Sequence, residues 1–256
     1  MAERWVPIWQ TVGTAYGLGL KSALRFPITT LAVSAILLGI NSYTVPMSIS
    51  TIVAAQPLLV LLNSVLRAIV LAPFAILIHR SIILDDHTGA FWTVSTHRRT
   101  ASFVAAALLL VLVQEAAAFV NTLQHYSGWF MLPGLVGSIA SIFFDIRLCL
   151  AFPAIATDQS ATPIRDSFRY VRGSGLAIFL VFAFIGLCWA PIGVPLFFAD
   201  RLTLVAENPG LLLALRAVLQ LVATLLVAVY VAAASQLWRT RSDWSKAAAT
   251  PANATA

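Results

Sequence analysis

Residues 210–237 read GLLLALRAVLQLVATLLVAVYVAAASQL, an unbroken apolar run whose one formal charge is Arg216. A helix rises about 1.5 Å per residue and a bilayer's hydrocarbon core is about 30 Å thick, so this run can cross it with length to spare. A membrane β-strand would alternate apolar and polar side chains over about ten positions, and no such alternation occurs here. The run is therefore expected to be a transmembrane helix. Working back from it, comparable stretches lie at about 28–46, 51–78, 101–121, 130–153 and 174–198. Pro57 and Pro73 interrupt the second of these, which predicts either one kinked long helix or two shorter pieces.

Composition agrees with that reading. Of the 256 residues, 60% are hydrophobic and only 10% charged, and the mean hydropathy is +0.89. Soluble domains devote about a quarter of their residues to Asp, Glu, Lys and Arg, so lipid must be the main solvent. The expected fold is all-α: a polytopic transmembrane bundle of about six spans over 27–238. An amphipathic interfacial helix precedes it at 1–26, and a flexible cytoplasmic tail follows at 239–256. No soluble catalytic domain fits in the remainder.

The N-terminal helix is inferred from Trp5, Ile8, Val12, Tyr16 and Leu20, which recur at near-helical intervals with Gln10, Thr14, Lys21 and Arg25 between them. Gly13 and Gly17 have the spacing that lets helices approach closely, but no function is assigned to them. The segment has no compact apolar core followed by a small-residue cleavage site, so the first hydrophobic stretch is expected to be an uncleaved anchor. Cys149 and Cys188 both lie inside apolar stretches and read as small buried groups.

Lys and Arg set the expected orientation. With the N-terminus inside, the cytoplasmic segments collect Arg4, Lys21, Arg25, Arg80, Arg98, Arg99, Arg165, Arg169, Arg172, Arg239, Arg241 and Lys246, and the far side keeps only Arg201. The positive-inside rule requires such an asymmetry. Both termini are therefore expected in the cytoplasm, and the net charge of +6 becomes a topology and lipid-surface signal. No soluble basic module with aromatic platforms is present, which argues against nucleic-acid binding.

Two sets of residues could carry chemistry. In Thr162-Pro163-Ile164-Arg165-Asp166-Ser167-Phe168-Arg169-Tyr170-Val171-Arg172-Gly173, the proline suits a helix start and the glycine its end. Ile164, Phe168 and Val171 share a face, and Arg165, Arg169 and Arg172 share the next, an arrangement that lets guanidinium groups meet anionic lipid headgroups. A solvated loop obeying the charge rule is the plainer alternative. The second set comprises Arg67, Glu115, Asp145, Arg147 and Arg216, ionisable groups inside apolar stretches, each costing at least about 2.5 kcal/mol unless paired or hydrated. Counting along the helices puts Arg67 level with Asp145, and Glu115 and Arg216 both nearer the outer side, which predicts two interhelical pairs. Gln56, Asn63 and Gln114 could extend a polar interior.

Enzymatic signals are weaker. His79, His87, His97 and His125 are scattered, and no metal pattern, P-loop, dinucleotide fingerprint or Gly-x-Ser-x-Gly is present, so neither metal nor cofactor is expected. Asp85, Asp86 and His87 form a small polar cluster that could hold a cation or simply be a solvated loop.

Three segments carry a family resemblance: His79-Arg80-Ser81-Ile82-Ile83-Leu84, Arg147-Leu148-Cys149-Leu150-Ala151-Phe152-Pro153-Ala154-Ile155-Ala156, and Ser167 to Gly173. Together they resemble uncharacterised bacterial six-span inner-membrane proteins, similar to the YciC-like family and to the membrane domain attached to some glycerophosphodiester phosphodiesterases. The resemblance implies a bacterial inner-membrane location and a helical bundle, with no activity to transfer. Phosphodiesterase chemistry in such enzymes resides in a separate soluble barrel, which this chain lacks. The favoured expectation is a non-enzymatic membrane protein that contacts anionic lipids, a protein partner or further copies of itself. A small transporter or channel component using the intramembrane charges comes second, and a membrane-embedded lipid-modifying enzyme third.

Overall fold

The computed structural model describes residues 6–44, 57–86, 98–123, 127–199 and 208–249. Arg4, Gln56, His87, His97, His125 and Arg201 lie outside them. In chain order the helices are α1 (Ile8–Arg25), α2 (Pro27–Thr44), α3 (Pro57–Ile83), α4 (Arg98–Leu123), α5 (Met131–Leu148), α6 (Ala151–Thr157), α7 (Pro163–Val171), α8 (Gly175–Ala199) and α9 (Pro209–Ala249), with a short 3-10 turn before α5. No strand occurs among the described residues. The chain is an all-α polytopic bundle: five spans are long and apolar enough to cross a membrane, or six if the bent pair α1–α2 makes one more. Among the described residues, each of the six apolar stretches is helical, the fourth with one break. The second is one continuous helix with Pro73 inside it.

The fourth stretch breaks where its composition gives no warning. α5 ends at Leu148, Cys149 and Leu150 form a turn, and α6 resumes at Ala151. All of α6 except Phe152 is buried, and the segment ends at Asp158 in the left-handed region. The final helix also exceeds expectation, because α9 runs to Ala249 through the first half of the tail expected to be flexible.

α9 is the central post, packed against α1, α2, α3 and α8. The N-terminal amphipathic helix α1 is present and does more than lie on a surface. Its face of Thr11, Val12, Ala15, Gly19, Ser22 and Ala23 is buried, and it docks on α9 and α8. A Cβ at Gly19 would come within 2.6 Å of the Val229 Cα and 2.9 Å of the Ala228 carbonyl oxygen. Two helix backbones therefore touch there, and only glycine permits it. The Tyr16 hydroxyl donates to the Ile185 carbonyl at 2.8 Å. Trp9 and Leu24 on the other face are exposed, as an interfacial helix requires. Gly13 and Gly17 meet open space.

α1 and α2 meet at 93°. Pro27 supplies no N–H, so the helical ladder is interrupted there. The Thr30 hydroxyl lies 2.9 Å from the Ala23 carbonyl and 3.0 Å from that of Phe26, a buried polar tie across the bend.

Burial is uneven along the bundle. At the end that carries Arg80, Arg98, Arg99 and Arg239, hereafter the basic end, α3 is buried without interruption from Ala72 to His79. The same end holds α6 and the Ala228–Trp238 part of α9. Polar ties join it: Ser81 to Ser22, Arg99 to Asp158, and Trp238 Nε1 to Gln159 at 2.9 Å. At the opposite end Leu58 and Leu62 of α3, Met131 and Leu135 of α5, Leu187 and Phe198 of α8, and Leu213 of α9 are all exposed. Such an apolar surface is what a chain dissolved in hydrocarbon presents.

Candidate functional site: an interhelical cavity

A cavity of about 790 Å3 opens between α3, α4, α5, α6, α8 and α9. Its walls follow helical stripes. On α3 these are Ser64, Arg67, Ala68, Leu71, Ala75 and His79, and on α4 Phe103, Ala107, Leu110, Val111 and Gln114. Small residues on these faces leave the space empty: alanine at 68, 72, 75 and 107 stands where leucine would have filled it. Most of the lining is apolar, with polar groups concentrated around Arg67, Gln114 and Asp145 and again around His79. From Arg67 to His79 is twelve residues of helix, or about 18 Å.

Both Arg67 and Asp145 line this space, but they do not form the predicted ion pair. Asp145 instead accepts from Gln114, whose Nε2 is 3.0 Å from each carboxylate oxygen. α3 and α5 each pack on α4, which stands between them; counting along the helices fixes depth but not direction. Arg67 makes no hydrogen bond or ion pair among the described residues. The second predicted pair also fails. Glu115, one residue and about 100° further round α4, accepts from the Ser64 hydroxyl of α3 at 2.6 Å, and Arg216 lies on α9 with a different interaction. Arg147 has no carboxylate partner either: its Nη1 donates to the Phe168 carbonyl at 3.1 Å, and its guanidinium sits 5.0 Å from the Phe143 ring centroid. It fastens α7 to α5, assisted by the Ser167 hydroxyl, which donates to the Arg147 carbonyl.

Of the uncharged polar residues, Gln114 joins the cavity's polar region as expected. Asn63 leaves its Oδ1 buried without a partner. His79, scattered in sequence terms, closes the inner end of the cavity at 1% exposure. Its Nδ1 is 2.7 Å from Ser235 Oγ. That hydroxyl's proton goes to the Val231 carbonyl at 2.8 Å, so Nδ1 must be the donor to serine. The recurrence of Ser64, Ala68, Leu71, Ala75 and His79 along one helical face was the available signal.

On α7 and at its end, Arg165, Arg169 and Arg172 are exposed, and Val171 is buried. Ile164 is exposed, so only part of the expected apolar face sinks inward. Pro163 begins the helix, and Gly173 ends it at φ +83°. Thr162 makes no side-chain cap; ahead of the helix, Ser160 forms a turn by accepting from the Thr162 N–H at 3.0 Å. Asp86, proposed for a cation cluster, is engaged by Arg80. A search of the described residues finds no group of three His, Cys, Asp or Glu that could hold a metal ion.

Comparison with family models found no match, and comparisons with curated proteins and with solved structures found none either.

Proposed function

We propose that this integral membrane protein is a non-enzymatic module that holds a lipid-like amphiphile between its helices. Its exposed Arg165, Arg169 and Arg172 meet anionic headgroups at the basic end. The carrying observation is the cavity, about 790 Å3 with an apolar body and polar groups gathered around Arg67, Gln114 and Asp145 and again around His79. Ligand sites run to about 300–1,000 Å3 and pair apolar walls with a few placed polar groups. The distribution of basic residues further supports an orientation with both termini in the cytoplasm. Gentle purification followed by lipid mass spectrometry tests the reading. Ala107→Trp, which fills the cavity from α4, should reduce co-purified lipid at least tenfold in the pool that resists washing. Unchanged lipid content would remove the proposal. Neutralising Arg165, Arg169 and Arg172 together should deplete only the anionic lipids.

A small transporter is the second reading, favoured by one observation: the cavity reaches Asp145. It predicts substrate or proton flux in proteoliposomes that Asp145→Asn abolishes, whereas a binding module gives no flux in either form.

A further inference from the structure

We infer that the cavity selects a zwitterionic headgroup, one bearing an ammonium and an acidic oxygen, with its acyl tail lying along the apolar walls toward His79. This rests on the reading of the cavity as a lipid site and names the class of lipid. The argument starts from two opposite charges that share one cavity without touching. Arg67 has no partner among the described residues, and Asp145 has only the neutral amide of Gln114. An isolated charge in hydrocarbon is costly, and opposite charges in one low-dielectric space gain by meeting. Here α3 and α5, which carry them, each pack on α4, and the Arg67 side chain is exposed rather than folded onto Asp145.

Chemical complementarity then specifies the occupant. A guanidinium offers five donors in a planar fork that matches two oxygens of a phosphate or carboxylate. A carboxylate has about four acceptor positions, and one amide nitrogen does not fill them. An ammonium group can therefore dock on Asp145 while the adjoining acidic oxygens dock on Arg67. A purely anionic head would satisfy Arg67 but face Asp145 as a like charge. Ala68, Leu71, Ala107 and Leu110 provide the apolar surface that continues from this polar region.

The test uses the full-length protein, delipidated in a non-ionic detergent and titrated with phosphatidylethanolamine or phosphatidylglycerol, with bound lipid counted by native mass spectrometry. The component that Ala107→Trp removes is the cavity's own, which separates it from lipid held by α7. For that component the wild type should prefer phosphatidylethanolamine by about tenfold. Asp145→Asn should erase the preference without weakening phosphatidylglycerol, Arg67→Gln should weaken both lipids, and Arg67→Lys should restore part of that loss. The ratio of two lipids on one preparation is insensitive to how much protein folds. Equal affinity of the wild type for both lipids overturns the inference while leaving the lipid site standing. Binding unaffected by Ala107→Trp overturns both. Strong coupling of Arg67→Gln with Asp145→Asn in thermal stability, with no lipid present, would show a direct ion pair and also sink it.

Discussion

The two ends of this bundle are built on different principles. At the basic end small residues bring helices into backbone contact and hydrogen bonds tie neighbours together: Gly19 against Val229, His79 with Ser235, Trp238 with Gln159. At the opposite end α3, α5, α8 and α9 turn apolar side chains outward, and isolated polar pairs join neighbouring helices, such as Asn41 with Gln220 at 2.7 Å and Asn121 with Ser138 at 2.8 Å. One end is held by shape and specific bonds, the other by its solvent. The cavity runs from one regime to the other, with Arg67 in the looser half and His79 in the tight one.

Point substitutions can break or sharpen that contrast, and thermal unfolding in a mild detergent would rank them. Trp238→Ala should cost most, about 3–5 kcal/mol, because the ring is 2% exposed, stands edge-on to Tyr170 and donates to Gln159. Gly19→Leu should follow at about 3 kcal/mol, since the added atoms meet backbone and α1 must lift from α9. Ser235→Ala should cost about 1–3 kcal/mol by leaving the buried His79 Nδ1–H without its acceptor. Gly134→Ala, in the open half, should cost only about 1 kcal/mol, because its new Cβ would meet a side-chain oxygen of Asn121 that can turn away at the loss of one hydrogen bond. Leu135→Ala, at a residue 56% exposed, should change stability by less than about 0.5 kcal/mol. If Leu135→Ala proved as damaging as Trp238→Ala, the division into two regimes would be wrong.

How much of this was legible in the sequence follows the same division. The apolar stretches announced an all-α bundle of five to six spans, because solubility in hydrocarbon depends on composition and length, which a sequence states outright. Contacts depend on direction around a helix, which it states only in part. Arg67 and Asp145 were found at equal depth and do line one space, yet Gln114 takes the carboxylate because it projects from the intervening helix. α1 read as a surface helix because Gln10, Thr14 and Lys21 interleave its apolar residues. Its docking depends on Gly19, and a glycine shows its use only when a partner backbone is known. The break at Cys149 was hidden because Leu148-Cys149-Leu150-Ala151 is as apolar as the helix on either side. The α7 segment was the most readable of all, its start, end and arginine face each fixed by local chemistry.

The contact between α1 and α9 also bears on how the chain is assembled. About two hundred residues separate Gly19 from Val229, so α1 is synthesised well before α9 and waits for it before its small-residue face is covered. Loop-closure entropy grows only slowly with length, but contacts of such long range delay completion. During translation α1 must therefore rest provisionally elsewhere, and its outward Trp9 and Leu24 suit the headgroup layer as that resting place. Closure of this contact is then governed by the arrival of α9.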